Sequence, residues 1–442
     1  MSWVIGLGHK LSGYPTLTTL KMADETKQAQ RLTFENKKAV GNTSLSRNFS
    51  TGITSESLYL ALAMWMEMFP HPNSTSPEAS DHDASQTVSE SFDVYREIGC
   101  ILVKQDNRLV AIDRSHDGVH GIARMLVKNH DKTAGCSVFV SRKPCTYCVK
   151  LLIKAGVTQI SYPPVEPEFL NSKEEKRIAT LSEEGQITHT VFVPQIGGDL
   201  VVKGEETKGI PRGIREYTTR VLGRFWNKES AKQMSVESVE DSYCQFENLV
   251  KWFARIYLPL EHSKFKCFVP SKDRSMKYGE RISCTFDPEN DFYHEKIAKH
   301  LLGLATMTIH GTVEPKTGVG CVIMKDNEIV AVGWNDFPVK LMEEGFYEAS
   351  DEERDKKYPF FVHAEQNALL VRNSTDVTGG IIFVTKTPCH ECTPLVKISG
   401  IGTVVLANSL EPIKEKYRLN YDIFQEEVEN GSFLCYEMLG SQ

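Results

Sequence analysis

The chain has 442 residues, more than one hydrophobic core normally organises, so length alone favours two or three domains. With 40% hydrophobic and 25% charged residues and no apolar run of bilayer length, the composition is that of a globular protein and excludes a membrane-spanning one. The formal charge of −7 argues against a whole-protein electrostatic grip on nucleic acid and leaves small anionic ligands open.

Residues 1 to about 53 are polar and lack apolar periodicity, which reads as a mobile arm. The opening MSWVIGLGHKLSGYP has neither the basic start nor the unbroken apolar stretch of a secretory signal. The 11 cysteines are odd in number and unevenly spaced, so we expect a reducing compartment, cytoplasmic or nuclear, in which clustered cysteines hold metal. Leu58, Leu60, Leu62, Met64, Met66, Met68 and Phe69 form an apolar stretch fit for a docking helix or strand; a leucine-rich nuclear export signal would look similar. Residues 71–90 have linker composition, which closes an N-terminal region of 1–90.

A strand, turn and strand (IGCILV, KQDN, RLVAID) predict a hairpin from Ile98, followed by a helix, the strand VFVS, a Pro-Cys helix start and the strand TQISYP. The same order returns with GCVIM, KDNE and IVAVGW, then the helix HAEQNALLV, the strand IIFVT, Pro-Cys opening a helix, and TVVLAN. His120 to Cys145 is 25 positions and His363 to Cys389 is 26, each followed by C-x-x-C, so the chain carries two folded copies of one domain type. The expected architecture is two tandem three-layer α/β/α domains, each a mixed sheet with helices on both faces, over 91–204 and 291–442. Residues 205–290 form a connector with two helical stretches (GIREYTTRVLGRFW; YCQFENLVKWFARIYL) and a basic, turn-rich piece (SKFKCFVPSKDRSMKYGER).

In the second copy, His363-Ala364-Glu365 and Pro388-Cys389-His390-Glu391-Cys392 supply an imidazole, two thiols and a carboxylate, the inventory of a catalytic zinc whose fourth position is left to water. The ligands would converge from two helix N-termini, where unpaired N–H groups and the macrodipole favour the thiolates that zinc requires. Glu365 is poorly placed to share the metal and well placed to move protons, and zinc would bring a bound water toward neutrality for attack on a cytosine C4. H-x-E followed by P-C-x-x-C resembles the signature of the zinc deaminases, although each half alone is weak. The bland counter-reading is a zinc knot or core histidine without turnover.

From Gly318 through Leu406 the chain closely resembles deoxycytidylate (dCMP) deaminase, through TGVGCVIMKDNEIVAVGWNDFP, KKYPFFVHAEQNALLVRNSTDV and TPCHECTPLVKISGIGTVV. That resemblance implies substrate contacts from Asn335, Ala364 and Thr387. Asn335 also has a plain reading as a turn residue.

The first copy reads His120-Gly121-Ile122, so the place of the catalytic glutamate holds an isoleucine and the copy is expected to be inactive. His120, Cys145 and Cys148 could still hold a second, structural zinc, against the alternative of a reduced cysteine pair in the core. A glutamate-less copy before an intact one resembles the vertebrate cytidine and dCMP deaminase domain-containing family, which implies deamination of dCTP to dUTP. Extra phosphates need extra cations, and Lys203, Lys208, Arg212, Arg215, Arg220 and Arg224 offer a cluster that is otherwise a solvated helix face.

Competing functions are a dCMP or cytidine deaminase, an editor of cytosine in polynucleotides, and a non-catalytic zinc regulatory protein. The editor lacks a dense basic-aromatic tract beside the C-terminal motif, and the regulator has no use for Glu365. The expected partners are a nucleotide substrate and further copies of the same chain, with no membrane and no nucleic acid.

Overall fold

Thr54 starts the first helix of the computed structural model, its hydroxyl accepting from Ser57 N at 3.2 Å. The structure describes residues 52–72, 94–171, 173–201, 211–234, 238–268, 285–312, 318–338, 360–408 and 421–440. In this helix, α1 (Ser55–Glu67), Tyr59, Ala61, Ala63 and Trp65 fill the gaps between the leucines and methionines, so the segment is apolar all round. A helix with no polar face must be buried, and Leu58 through Met66 are almost wholly inaccessible. The stretch is therefore an internal helix, and the export-signal reading fails because its leucines are packed in the core.

The first sheet is built from β2 (Gly99–Val103), β3 (Leu109–Arg114), β4 (Ser137–Val140), β5 (Gln159–Tyr162) and β7 (Thr188–Val191), in the order β3-β2-β4-β5-β7. Strand β2 runs antiparallel to β3 and β4, while β4, β5 and β7 are parallel. The outer helices α2 (Gly121–Lys128), α3 (Thr146–Lys154) and α4 (Glu174–Glu184) cover one face. A short ribbon of β1 (Val94–Tyr95) and β6 (Phe169–Leu170) stands apart from the sheet.

After α5 (Gly198–Val201), the connector forms α6 (Arg212–Phe225), α7 (Lys228–Gln233) and α8 (Val239–Glu261), in which the two expected helical stretches lie. The piece read as basic and turn-rich contains β8 (Lys264–Cys267), paired antiparallel at the edge of the second sheet. Phe265 is buried there while Lys264 and Lys266 are exposed, a two-residue alternation too short to stand out in sequence and a charge placement that guards an edge.

The second sheet joins β8 to β9 (Gly320–Lys325), β10 (Glu328–Trp334), β11 (Ile381–Val384), β12 (Thr403–Leu406) and β13 (Leu434–Leu439), in the order β10-β9-β11-β12-β13-β8. Helix α9 (Phe292–Thr308) lies on one face; α10 (Ala364–Val371), α11 (Cys392–Ile398) and α12 (Asp422–Glu429) lie on the other. Each copy is thus a three-layer α/β/α unit around a mixed sheet, as the strand and helix order predicted.

The inner layers of the two copies share one core, in which α1, α6, α8 and α9 meet inward-facing residues of both sheets. The first residue of each leading strand makes the close approach: a Cβ on Gly99 would sit 2.0 Å from the Ala63 carbonyl oxygen, and one on Gly320 would sit 1.8 Å from that of Ala305. At the centre, Trp65 of α1 stacks on His300 of α9 with ring centroids 5.2 Å apart and donates from its indole N–H to the His300 carbonyl. Outside the core, Arg124 and Lys128 of α2 pair with Glu328 of β10, tying one copy to the other. Among the described residues no helix is long and apolar enough to cross a membrane.

His300 carries a measurable consequence. Burial, with the Arg114 guanidinium adding to it, pushes its imidazole down to about 3 from an ordinary 6.5. Between those values the unfolded chain takes a proton that the folded chain refuses, so stability drops as pH falls through this window. Replacing His300→Phe keeps a ring on Trp65 and removes the titration. Urea unfolding at pH 7 and pH 5 should show the stability difference between the two proteins moving by about 2 kcal/mol in favour of the variant at pH 5. An unchanged difference would mean that His300 is solvated.

Candidate metal centre

His363 is the N-cap of α10, with its backbone N–H donating to Gln366 Oε1 at 3.0 Å. Cys392 opens α11, and Cys389 precedes it by one turn, its carbonyl accepting from Thr393 N at 2.9 Å. Strands β10 and β11, which precede the two helices, both run antiparallel to β9 and so point the same way, which brings the two helix starts to one end of the sheet and lets residues 26 positions apart in sequence meet.

His363 Nδ1 is 3.3 Å from Cys389 Sγ and 3.3 Å from Cys392 Sγ, and neither sulfur is in a disulfide. Donors at about 2.0 Å (nitrogen) and 2.3 Å (sulfur) from one tetrahedral ion would lie about 3.6 Å apart, so this trio fits a zinc ion. Without a cation the two thiols share a proton: a hydrogen bond from Cys392, aided by His363, holds Cys389 well below the ordinary thiol range, and the same bond pushes Cys392 up. A divalent cation replaces that proton. Burial lowers His363, and the adjacent Cys389 more than offsets it for a net rise.

Glu365 is the second residue of α10, two beyond the cap, almost wholly buried, with Oε2 3.5 Å from Cys392 Sγ. It is not one of the mutually close donors of the trio. Burial pushes its carboxyl up to about 7, where a group can both give and accept a proton near neutral pH. Close packing brings α10 here: a Cβ on Gly333 would meet the Ala364 carbonyl at 2.5 Å.

The first copy repeats the frame. His120 caps α2, Cys145 caps α3 and Cys148 lies in its first turn. His120 Nδ1 is 3.5 Å from Cys145 Sγ and 3.3 Å from Cys148 Sγ. Ile122, in the place of Glu365, is fully buried in the outer core of the first copy.

The remaining expected residues divide. Ala364 is the first residue of α10 and fully buried, and Thr387 is half-buried just before Pro388. Asn335 is buried, its side-chain oxygen accepts from Val319 N at 2.6 Å and its backbone N–H donates to the Val319 carbonyl at 3.2 Å, so it extends the β9–β10 pairing and does not form a turn; Nδ2 makes no hydrogen bond among the described residues. Phe361, from the segment before His363, stacks on Phe337 with centroids 4.2 Å apart.

The arginine cluster rides on α6. Arg212 pairs with Glu216 at 2.6 Å, Arg220 lies over the Tyr217 ring, and Arg224 donates to the Glu67 carbonyl at 3.0 Å. Among the described residues, Arg212, Arg215, Arg220 and Arg224 make no hydrogen bond or ion pair with His363, Glu365, Cys389 or Cys392. Lys203 and Lys208 lie outside the described residues.

Two neighbours of the sites escaped the sequence reading. Tyr421, just before α12, has its hydroxyl pKa raised by burial and then by the charges of Cys389, Glu365 and Cys392, which places it beside the second site. Glu168 joins the first site, its Oε1 2.8 Å from His120 Nδ1. Neither sits in a spaced motif, and no sequence signal would have found them.

The sequence profile of the cytidine and deoxycytidylate deaminase zinc-binding region matches residues 294–408. The chain is 24% identical over 431 residues to "Cytidine and dCMP deaminase domain-containing protein 1" of Danio rerio, a match covering 84% of this chain and 86% of that one. It is 32% identical over 110 residues to "Deoxycytidylate deaminase" of Homo sapiens, covering 24% of this chain and 62% of that one. It is 30% identical over 116 residues to "Deoxycytidylate deaminase" of Mycobacterium phage D29, covering 24% of this chain and 91% of that one.

Proposed function

Because the chain belongs to the cytidine and deoxycytidylate deaminase family, we propose that its second copy hydrolyses the 4-amino group of a free deoxycytidine nucleotide, dCTP being the substrate, to give dUTP and ammonia. The observation that carries the reading is Glu365, a buried carboxyl 3.5 Å from a thiol of a zinc-compatible trio. The first copy has Ile122 in its place and supports no turnover.

His363, Cys389 and Cys392 would hold the zinc, which when bound supplies Lewis acidity and makes water nucleophilic near neutral pH. Glu365 takes one proton from the attacking water and delivers it to N3, then takes the second from the new C4 hydroxyl and delivers it to the amine, which departs as ammonia and leaves the uracil base. Its burial keeps solvent from competing for that proton. Ala364 and Thr387 frame the base with backbone groups, and Asn335 offers Nδ2 to the sugar while its oxygen is fixed by Val319. Further copies of the chain would complete the assembly.

Arg212 and Arg224 are committed to carboxylate and carbonyl partners within the chain, so the additional phosphates of a triphosphate fall to Arg215 and Arg220. Initial rates with deoxycytidine, dCMP and dCTP test the phosphate number. The expected order of kcat/KM rises with phosphate count, and Arg215→Glu with Arg220→Glu should cost about tenfold on dCTP while sparing dCMP. A kcat/KM higher on dCMP than on dCTP would make the chain a monophosphate deaminase, and equal values would mean that the pocket does not read the additional phosphates.

A further inference from the structure

The two copies differ by more than the loss of a glutamate. Among the described residues of the second copy, three donors lie mutually close: His363, Cys389 and Cys392. In the first there are four, because a carboxylate oxygen of Glu168 lies within 4.8 Å of the donors of His120, Cys145 and Cys148. Oε1 of Glu168 is 2.8 Å from His120 Nδ1 and 3.6 Å from Cys148 Sγ.

Glu168 is wholly inaccessible and fixed from three directions. Its Oε2 accepts from Cys145 N at 2.8 Å, its backbone N–H donates to the Lys143 carbonyl at 2.9 Å, and its carbonyl accepts from Arg96 N at 2.7 Å. The last contact continues the β1–β6 ribbon, in which Val94 and Tyr95 pair with Leu170 and Phe169 immediately beyond Glu168. Tyr95 and Tyr147 pack against the His120 ring, with centroids 4.7 and 5.0 Å away. Thus Oε2 is taken by a backbone amide, and Oε1 is the oxygen directed at the imidazole and thiols. A buried carboxylate among two thiols and an imidazole is costly unless a cation is shared.

We propose that the first copy is a closed structural zinc site of two thiolates, one imidazole and one carboxylate, with Glu168 occupying the coordination position that a catalytic site leaves to water. Four protein ligands are the mark of structural zinc, and three with an open position are the mark of catalytic zinc. The first copy has therefore lost turnover twice, through Ile122 at the proton-transfer position and through Glu168 at the water position. Its metal instead staples the N-termini of α2 and α3 to the β1–β6 ribbon. The proposal stands apart from the substrate of the second copy and survives even if that copy turns over nothing.

Elemental analysis of the full chain should give two zinc ions per chain, and one per chain for folded Cys389→Ser with Cys392→Ser. Cobalt loaded into that double variant should give thiolate charge-transfer absorption that azide leaves unchanged, because no position is open. Adding Glu168→Ala should either make the spectrum respond to azide or release the cobalt from a folded chain. One zinc in the wild type, a metal-free but folded double variant, azide sensitivity with Glu168 intact, or an unchanged azide-insensitive spectrum without Glu168 would each overturn the proposal.

Discussion

Replacing Glu365→Gln should cut deamination by about 10² to 10⁴-fold or more while leaving zinc content and fold unchanged. The amide keeps the size of the side chain and its place beside Cys392, and it removes the ability to cycle a proton between water, N3 and the amine. Because Glu365 is not among the mutually close donors, metal content should not move with it. Ammonia release and zinc stoichiometry measured on one preparation separate the effects. A glutamine variant that loses both would assign Glu365 to the metal rather than to proton transfer, and one that keeps full activity would remove it from the mechanism.

The largest stability effect is expected at Arg142→Ala. The guanidinium of Arg142 donates Nε to Glu67 Oε1 and Oε2 at 3.0 and 3.1 Å and its Nη2 to Oε1 at 2.8 Å, with both side chains at most 3% exposed. It also donates to the Glu166 carbonyl at 3.1 Å. This fork joins the C-terminal end of α1 to the loop after β4, so it locks the inner helix of the first copy onto its sheet. Removing one partner leaves a buried carboxylate uncompensated, which costs about 3–5 kcal/mol. Arg224 is no substitute, since it reaches Glu67 Oε1 only at 3.6 Å and is 43% exposed. The paired change Glu67→Met with Arg142→Met should cost far less, because it removes both charges and fills the space. Chemical denaturation of the three variants measures the difference; a loss under about 1 kcal/mol for Arg142→Ala would show that water reaches the pair.

The parts legible in sequence were those encoded by spacing. H-x-E and P-C-x-x-C place their side chains at helix N-termini by local geometry, and the repeat of strand, turn and helix signals doubles the message, so both ligand trios and the absence of a glutamate at Ile122 could be read directly. Asn335 was readable only as an ambiguity, and the structure gives it a bond across the β9–β10 pair through Oδ1, with no hydrogen bond at Nδ2 among the described residues. Contacts between distant segments could not be read. Trp65 meets His300 across 235 positions, Arg124 meets Glu328 across 204, and Arg142 meets Glu67 across 75. Glu168 is one of two acids in PVEPEF, with nothing to single it out until the β1–β6 ribbon carries it to the first site. The apolar run of α1 was visible, but its role as the inner layer of the first copy follows from a shared core that only the assembled fold contains.

The central claim is that the second copy is a deaminase of free cytosine nucleotides. Its most direct test is ammonia release by the full zinc-loaded chain, presented separately with cytidine, dCMP, dCTP, CTP and a cytosine-bearing oligonucleotide. The account predicts turnover of a free deoxycytidine nucleotide, with dCTP the best substrate and the oligonucleotide untouched. Release from the oligonucleotide alone, or from none of the five, would contradict it.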